Sequence, residues 1–218
     1  MINKENNYII EPIDNINDFK EVVNIFSEPP FYEPLTEEDI KTEFNLLKDG
    51  IILGMYTHTK DIMGYISAIP KIEEKHKMFF KEDIHKLKNL YIYGMATKKE
   101  YRGRGICTTL IKTIINEYGS FYDIIYMRVI NEGSMSTNLA LKCNFKPLLN
   151  NGTLALQSVV FKRNNPNIKD EDIRSFLIYP TNSLSQDLLI KNNMIHDEKN
   201  EKQKTLVLTN LKEKKYEY

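Results

Sequence analysis

Apolar positions recur along this chain at two spacings, and the spacing predicts the elements. From Ile16 to Phe26, the residues Ile16, Phe19, Val22, Val23 and Phe26 fall at helical intervals, with Asn17 available as a cap and Pro29-Pro30 as the stop. A short strand-like run, Tyr8-Ile9-Ile10, comes before it. Thr36, followed by Glu37, Glu38 and Asp39, opens a second predicted helix that reaches about Leu47 and exits at Asp49-Gly50; its acidic first turn suits the helix dipole. Ile51 to Tyr56 and Ile62 to Ile69 flank the polar His58-Thr59-Lys60-Asp61, the pattern of a hairpin. Residues 71 to 89, rich in Lys, Glu and His around Met78-Phe79-Phe80, predict a helix or an excursion on one face of the sheet.

The pattern sharpens from Leu90. Leu90 to Thr97 is a β-rich run, Lys98 to Gly105 is charged and glycine-bearing, and Ile106 to Tyr118 places Ile106, Leu110, Ile111, Ile114 and Ile115 on one helical face before Gly119. Phe121 to Ile130 then reads as a strand and Ser134 to Cys143 as a short helix. Phe145 to Leu149 with Leu154 to Phe161 reads as a hairpin around Asn150-Asn151-Gly152. At Asn164 the composition shifts to a polar linker, NNPNIKDED. Three apolar pieces follow, Ile173 to Tyr179, Leu184 to Ile190 and Thr205 to Leu211, separated by Pro180-Thr181-Asn182 and the charged run Asp197 to Lys204. The expected organisation is a domain over residues 1–163 and an extension over 164–218, which packs on the domain or at a dimer interface; a monomer and a homodimer both remain open.

Composition narrows the function classes. The 218 residues carry 30 basic and 30 acidic side chains, a net charge of zero, which removes the broad electrostatic footprint of a protein that holds nucleic acid by its phosphates. Cys107 and Cys143 are too few for a disulfide scaffold and are not spaced as a metal knuckle, so free thiols in a cytoplasmic, reducing setting are expected. The polar start lacks a signal-peptide run, and no later stretch approaches 18 uncharged apolar residues, so no membrane span is expected. The four histidines, His58, His76, His85 and His196, form no metal-like array.

The chemistry is concentrated in YIYGMATKKEYRGRGICTTLIKTI, residues 91 to 114. A strand runs into a loop with Arg102, Gly103, Arg104 and Gly105, and the loop opens directly into a helix. The first amides of a helix have no internal acceptor, glycines let them approach a phosphate, and the dipole adds positive character. Arg102 and Arg104 bring guanidinium donors to the same place. Residues 81 to 120 hold eight Lys or Arg against four Asp or Glu, a local surplus of four in a neutral chain. A Walker A loop would need Gly-Lys followed by Ser or Thr, and a dinucleotide fingerprint would need a third glycine where Thr108 stands; neither fits. A tight strand-to-helix connection with surface arginines is the remaining reading of the loop by itself.

Together with its neighbours, the run resembles the GCN5-related N-acetyltransferase (GNAT) superfamily. The acyl-CoA signature of that family is Gln or Arg, two variable residues, Gly, one variable residue, then Gly or Ala; here it falls on Arg102, Gly103, Arg104, Gly105, Ile106 and Cys107, with Cys107 departing from the pattern. GMAT, residues 94 to 97, looks like the end of the family's fourth strand, and Tyr126 to Val129 look like its fifth. Asn131 to Phe145 look like the following helix with its Lys-x-Gly-Phe ending, in which Asn144 replaces the glycine; Asn is the best non-glycine residue for a left-handed backbone. Residues 8 to 162 can be laid on the family plan, and 164 to 218 are outside it.

The resemblance implies a fold, a cofactor and a reaction. The fold is α/β (α+β): a mixed, strongly twisted sheet flanked by helices, acyl-CoA N-acyltransferase-like, with a C-terminal extension. Acetyl-CoA would be the cofactor, with CoA as product and no metal. Arg102, Gly103, Arg104, Gly105, Ile106, Cys107 and Thr108 would hold its pyrophosphate, chiefly by main-chain N–H groups. Met95, Ala96 and Thr97 would lie beside pantetheine, with an N–H near Met95 polarising the thioester carbonyl. Asn131, Ser136 and Asn138 are candidates for the far wall of the cofactor, and each also reads as a helix cap or exposed polar residue.

The implied reaction is direct attack of an amine on acetyl-CoA in a ternary complex, with no enzyme nucleophile. Ala140 stands where the family commonly has a tyrosine acid. Tyr93, which shares a strand face with Tyr91, and Tyr126 are the candidate phenolic donors, although aromatic residues on strands are more often packing groups. The acceptor would be a small-molecule or peptide amine, met by the regions Ile25 to Glu38 and Leu148 to Thr153, and Glu33 in the Pro29-Pro30-Phe31-Tyr32-Glu33-Pro34 loop could attract it. A non-catalytic acyl-CoA-binding regulatory module is the alternative, and a soluble α/β protein with a structural glycine loop is the third reading.

Overall fold

In a computed structural model, the described residues are 2–3, 8–27, 35–130, 135–162 and 169–196. The elements begin with β1 (Ile2–Asn3), β2 (Tyr8–Pro12), α1 (Ile16–Val23), α2 (Glu37–Leu47), β3 (Ile51–Tyr56) and β4 (Ile62–Ile69). They continue with α3 (Glu82–His85), β5 (Asn89–Thr97), α4 (Ile106–Thr113), β6 (Ile124–Ile130) and α5 (Met135–Lys142). The last are β7 (Lys146–Pro147), β8 (Leu149–Asn150), β9 (Thr153–Leu154), β10 (Leu156–Lys162), β11 (Lys169–Pro180) and α6 (Ser183–Lys191). They fall into two compact units, Met1–Pro70 with Tyr91–Glu117, and Lys71–Leu90 with Tyr118–Tyr218. The predicted stop at Pro29-Pro30, the run Asp197 to Lys204 and the segment Thr205 to Leu211 lie outside the described residues.

In the first unit, β1 to β5 pair antiparallel in chain order. Helix α1 buries Phe19, Val22 and Val23, the stripe its spacing predicts. Its cap is Asn15 and not Asn17: Asn15 has an extended backbone and its Oδ1 accepts the N–H groups of Asn17 and Asp18, which puts Asn17 inside the helix. The regular helix ends at Val23, and Asn24–Ser27 tighten into a 3-10 turn. Thr36 caps α2 in a full capping box, its Oγ1 accepting from Asp39 N at 3.2 Å and Asp39 Oδ2 accepting from Thr36 N at 3.0 Å. The predicted hairpin joins β3 to β4, with Lys60 at φ +68 and the Thr57 and Thr59 hydroxyls donating to Asp61. Helix α4 lies close on the sheet at Gly64, where a Cβ would stand 3.0 Å from Ile106 Cγ2 and 2.7 Å from the Ala96 carbonyl oxygen.

In the second unit the strand order is β6-β11-β10, all antiparallel, with β7 also beside β11. The 71–89 region is an excursion of a 3-10 turn, Glu74–Phe79, and the one-turn α3. Its apolar knot docks on aromatic rings, Phe79 on Phe176 at 4.7 Å and Phe80 on Tyr126 at 5.1 Å. The predicted hairpin around Asn150-Asn151-Gly152 is shorter than its sequence suggests: only β8 and β9 pair across Asn151 (φ +51) and Gly152 (φ +80), the two positive angles of a type I′ turn. The partner of β10 is instead β11, over Leu156↔Ser175 to Lys162↔Lys169. Lys169 to Asp172, read from composition as linker, are therefore strand, because an antiparallel partner satisfies their backbone whatever the side chains prefer. From Arg174↔Ile130, β11 runs along β6 to Pro180↔Ile124.

Helix α5 ends in a Schellman motif. Phe145 N–H donates to Ala140 O and Asn144 N–H to Leu141 O, with Asn144 at φ +65, the left-handed angle expected of a residue in glycine's place. Among the described residues no helix is long and apolar enough to cross a membrane.

Candidate functional site

The loop 98–105 begins where β5 ends. Lys98 N–H donates to Met63 O, Lys99–Tyr101 form a 3-10 turn, and Arg102 folds back so that its Nε donates to Thr97 O at 3.1 Å. Arg102 thus ties the strand end to the loop, and its Nη2 is buried without a hydrogen-bond partner among the described residues. Arg104 is exposed and stacks over the Tyr101 ring, 5.4 Å from its centroid. The two arginines therefore differ: one braces the loop, and the other is available at its surface.

Gly103 and Gly105 both take left-handed angles, φ +77 and +78, which L side chains adopt only under strain. Gly105 is the N-cap of α4 and has no side chain to cap the helix. The first helical bond is Thr109 N–H to Gly105 O, so the amides of Ile106, Cys107 and Thr108 precede the ladder and point out of the helix end. A Cβ at either glycine would meet no atom within 4 Å, so the loop is open at both glycines, next to these donors. Unsatisfied amides, a helix dipole, an orphaned guanidinium nitrogen and this open approach together fit a phosphate group. Cys107 faces the other way. Its Sγ sits 3.0 Å from Thr97 Oγ1, and burial pushes its thiol above the ordinary range, which makes it a packing group and not a nucleophile.

Above the loop, β5 carries a bulge. Ser67 pairs with Gly94 and the next β4 residue, Ala68, with Ile92, so Tyr93 is the extra residue. Tyr93 is half-buried and its ring meets the ring of Tyr91 edge-on at 6.0 Å, while Tyr91 is buried. The sequence pattern places the two on one face, and the bulge leaves Tyr93 as the one that reaches solvent. Met95 and Thr97 are half-buried and Ala96 is buried.

Gly94 is needed here for a different reason from the loop glycines. A Cβ on it would lie 3.0 Å from Ser67 Oγ and 3.3 Å from Tyr65 Oη, both on β4. Gly94→Ala is expected to lower stability by about 1–2 kcal/mol, the cost of overpacking, read as a shift in the denaturant midpoint; a midpoint equal to wild type would show that Ser67 and Tyr65 are free to move aside. Tyr65, Ser67 and Glu43, which stands in the inward stripe of α2, are absent from the residues singled out by sequence. The one signal for them is Glu43, an acid placed three residues after Ile40 and four before Leu47.

Of the remaining candidates, Tyr126, Ser136 and Asn138 lie in the second unit. Tyr126 is fully buried; its hydroxyl accepts Glu73 N–H at 3.2 Å and lies 3.3 Å from His76 Nδ1, so it is committed to holding the 73–76 turn. Ser136 is half-buried and Asn138 exposed on α5, and Asn131 lies outside the described residues, as does Glu33 with its Pro-rich loop. Ala140 is fully buried. Among the described residues no cluster of His, Cys, Asp or Glu could hold a metal ion.

Comparison with known proteins bears on the family and the fold. A family model, "Acetyltransferase (GNAT) family", matches residues 19–145. No curated protein matches the chain in sequence. Among solved structures, Arabidopsis thaliana NAA60 in complex with acetyl-CoA is 17% identical, with a TM-score of 0.59, and the match covers 79% of this chain and 98% of that one. An N-acetyltransferase from Staphylococcus aureus Mu50 is 13% identical, with a TM-score of 0.56, covering 81% and 100%. The ribosomal-protein-S18-alanine N-acetyltransferase from Escherichia coli is 11% identical, with a TM-score of 0.54, covering 80% and 94%. At these identities the likeness is one of fold: a mixed α/β architecture with a twisted sheet flanked by helices, acyl-CoA N-acyltransferase-like, with additional C-terminal elements.

Proposed function

We propose that this chain, which belongs to the acetyltransferase (GNAT) family, transfers an acetyl group from acetyl-CoA to a primary amine by direct attack in a ternary complex. Acetyl-CoA-dependent acyl transfer is the general activity of the family; the amine acceptor and the ternary complex are the proposed part. The observation that carries it is the helix end at Gly105, with its unladdered amides of Ile106, Cys107 and Thr108 next to open space.

In this reading those three amides, with Arg102 and Arg104 beside them, hold the pyrophosphate, and Gly103 and Gly105 let it approach. Bound acetyl-CoA supplies an acetyl group activated as a thioester. Met95 and Thr97 line the path of pantetheine, and a main-chain N–H near Met95 is the donor for the thioester carbonyl. Tyr93, carried by the bulge and half-exposed, is the phenol placed to give a proton to the departing sulfur.

Tyr93→Phe is expected to leave acetyl-CoA affinity unchanged in calorimetry and to lower turnover at least tenfold, with CoA release as the assay. Turnover equal to wild type would remove Tyr93 from the mechanism. A second reading, an acyl-CoA-binding regulatory module, is favoured by one observation, the buried Ala140 where the family commonly has a tyrosine. Tight acetyl-CoA binding with no CoA release across a broad amine panel would select it.

A further inference from the structure

Helix α2 carries an acid where its pattern asks for an apolar residue. Ile40, Glu43, Phe44 and Leu47 stand at i, i+3, i+4 and i+7, one face of the helix. Ile40 and Leu47 are buried, Phe44 meets the Phe19 ring of α1 at 5.4 Å, and Glu43 is half-buried among them. Among the described residues no hydrogen bond or ion pair reaches the Glu43 carboxylate. Burial first, and then Asp39 one turn earlier, raises its carboxyl above the ordinary range. A carboxylate held this way costs stability, and proteins keep such groups where chemistry uses them.

Its surroundings name the chemistry. On β4, the fully buried Tyr65 phenol is held well above its usual range by burial, with Glu43 and Tyr93 adding to the shift, so both lie in electrostatic reach of that one hydroxyl. Tyr65 Oη in turn lies against Gly94, at the bulge. Tyr65 is sealed, whereas Glu43 and Tyr93 are half-exposed, so these two are the members of the cluster that a ligand can touch. On neighbouring α1, Lys20 pairs with Glu37 and Asp18 accepts from Asn15. Among the described residues no ion pair joins Glu43 to a cation, and Asp39, which caps the helix with Thr36, adds a second negative charge one turn away.

We infer that Glu43 receives the ammonium of a cationic primary amine over the α2 side of β4 and β5, and acts as the base that takes its proton. The inference rests on the acetyl-transfer reading above. One ammonium proton passes to the Glu43 carboxylate, which frees the nitrogen lone pair. Nitrogen bonds to the acetyl carbon, the carbon–sulfur bond breaks, Tyr93 gives its phenolic proton to the CoA sulfur, and the second nitrogen proton returns to the Tyr93 oxygen. Glu43 then returns its proton to water, so the products are the acetamide, CoA thiol and one released proton. Removing the carboxylate is expected to cost about 100-fold in kcat/KM.

The test compares wild type, Glu43→Gln and Glu43→Leu. Calorimetry with acetyl-CoA comes first: absence of wild-type binding overturns the acetyl-transfer reading itself. CoA release is then followed with tyramine, spermidine and a short peptide with a free amino terminus. The expected result is a Glu43→Gln enzyme with acetyl-CoA affinity within twofold of wild type, kcat/KM lower by about 100-fold, and no acidic limb in its pH profile. Glu43→Leu is expected to melt above wild type, since an unpaired carboxylate leaves an apolar stripe. Turnover of Glu43→Gln within threefold of wild type overturns the inference. So does wild type that binds acetyl-CoA and acetylates none of these amines. A Glu43→Leu variant that melts below wild type also overturns it, by showing a structural acid, and that comparison needs no acceptor and no cofactor.

Discussion

Replacing Gly105 by valine is expected to raise the dissociation constant for acetyl-CoA about 100-fold, or about 3 kcal/mol. Two effects are involved and they separate. The left-handed angle, φ +78, strains any L residue by about 1–2 kcal/mol, and this acts on the stability of the free protein. The loss of affinity comes from the space next to the amides: nothing lies within 4 Å of a Cβ there, so a branched side chain would stand where the phosphate must come. Displacing one or two charge-assisted amide contacts, at about 1.5–3 kcal/mol each, gives the stated fall. Gly105→Ala is the control, since it carries the same backbone strain with a smaller obstruction; it should melt nearly as low as the valine variant and bind distinctly better. Equal affinity of wild type and Gly105→Val in calorimetry would show that the helix end does not hold the cofactor.

Acid is expected to destabilise the protein partly through one buried histidine. His76 is fully buried, meeting the Phe176 ring at 5.0 Å and lying 3.3 Å from Tyr126 Oη. Burial, with Arg128 and then Lys75 adding, holds its pKa down to about 3 from 6.5. Folded His76 is therefore neutral, and its ring nitrogen can accept the Tyr126 hydroxyl proton while that hydroxyl accepts Glu73 N–H. Below pH 6.5 the unfolded chain gains a proton on this ring that the folded chain refuses. The stability is thus complete above about 6.5 and lost as pH falls toward about 3. At pH 5, one and a half units below the unfolded value, the loss amounts to about 2 kcal/mol. Urea titrations at pH 7 and pH 5 test it: the difference between the two should shrink by about that amount in His76→Gln, which cannot titrate. Parallel losses in the two proteins would sink the assignment.

The loop was legible in the sequence because its information is local. Glycine at 103 and 105 and a helix pattern starting at Ile106 imply free amides at a helix end whatever the rest of the chain does, and the positive angles are where the glycines stand. Asn144 in a left-handed turn and Thr36 as a cap were legible for the same reason. Asn15 and not Asn17 caps α1 although the two are chemically alike, because only the backbone angle decides which side chain reaches the amides.

Non-local pairing was not legible. Lys169 to Asp172 have the composition of a linker and become strand because β10 lies alongside, while the expected long hairpin contracts to four paired residues because β10 takes β11 as its partner. Tyr126 looked like a possible acid on an apolar strand, and its hydroxyl proves to be engaged with a turn 50 residues away in sequence. The same limit hid the cluster around Tyr65.

By itself, then, the sequence determined the anion-ready helix end, the family resemblance and most helix and strand periods, since each depends on residues within a turn or two of one another. The tertiary structure decided which tyrosine reaches solvent, which strand neighbours which, and that α2, with Glu43, packs on β4, the strand of Tyr65. Those outcomes turn on a one-residue bulge and on the docking of α2 over β4, and both depend on packing between segments far apart in the chain.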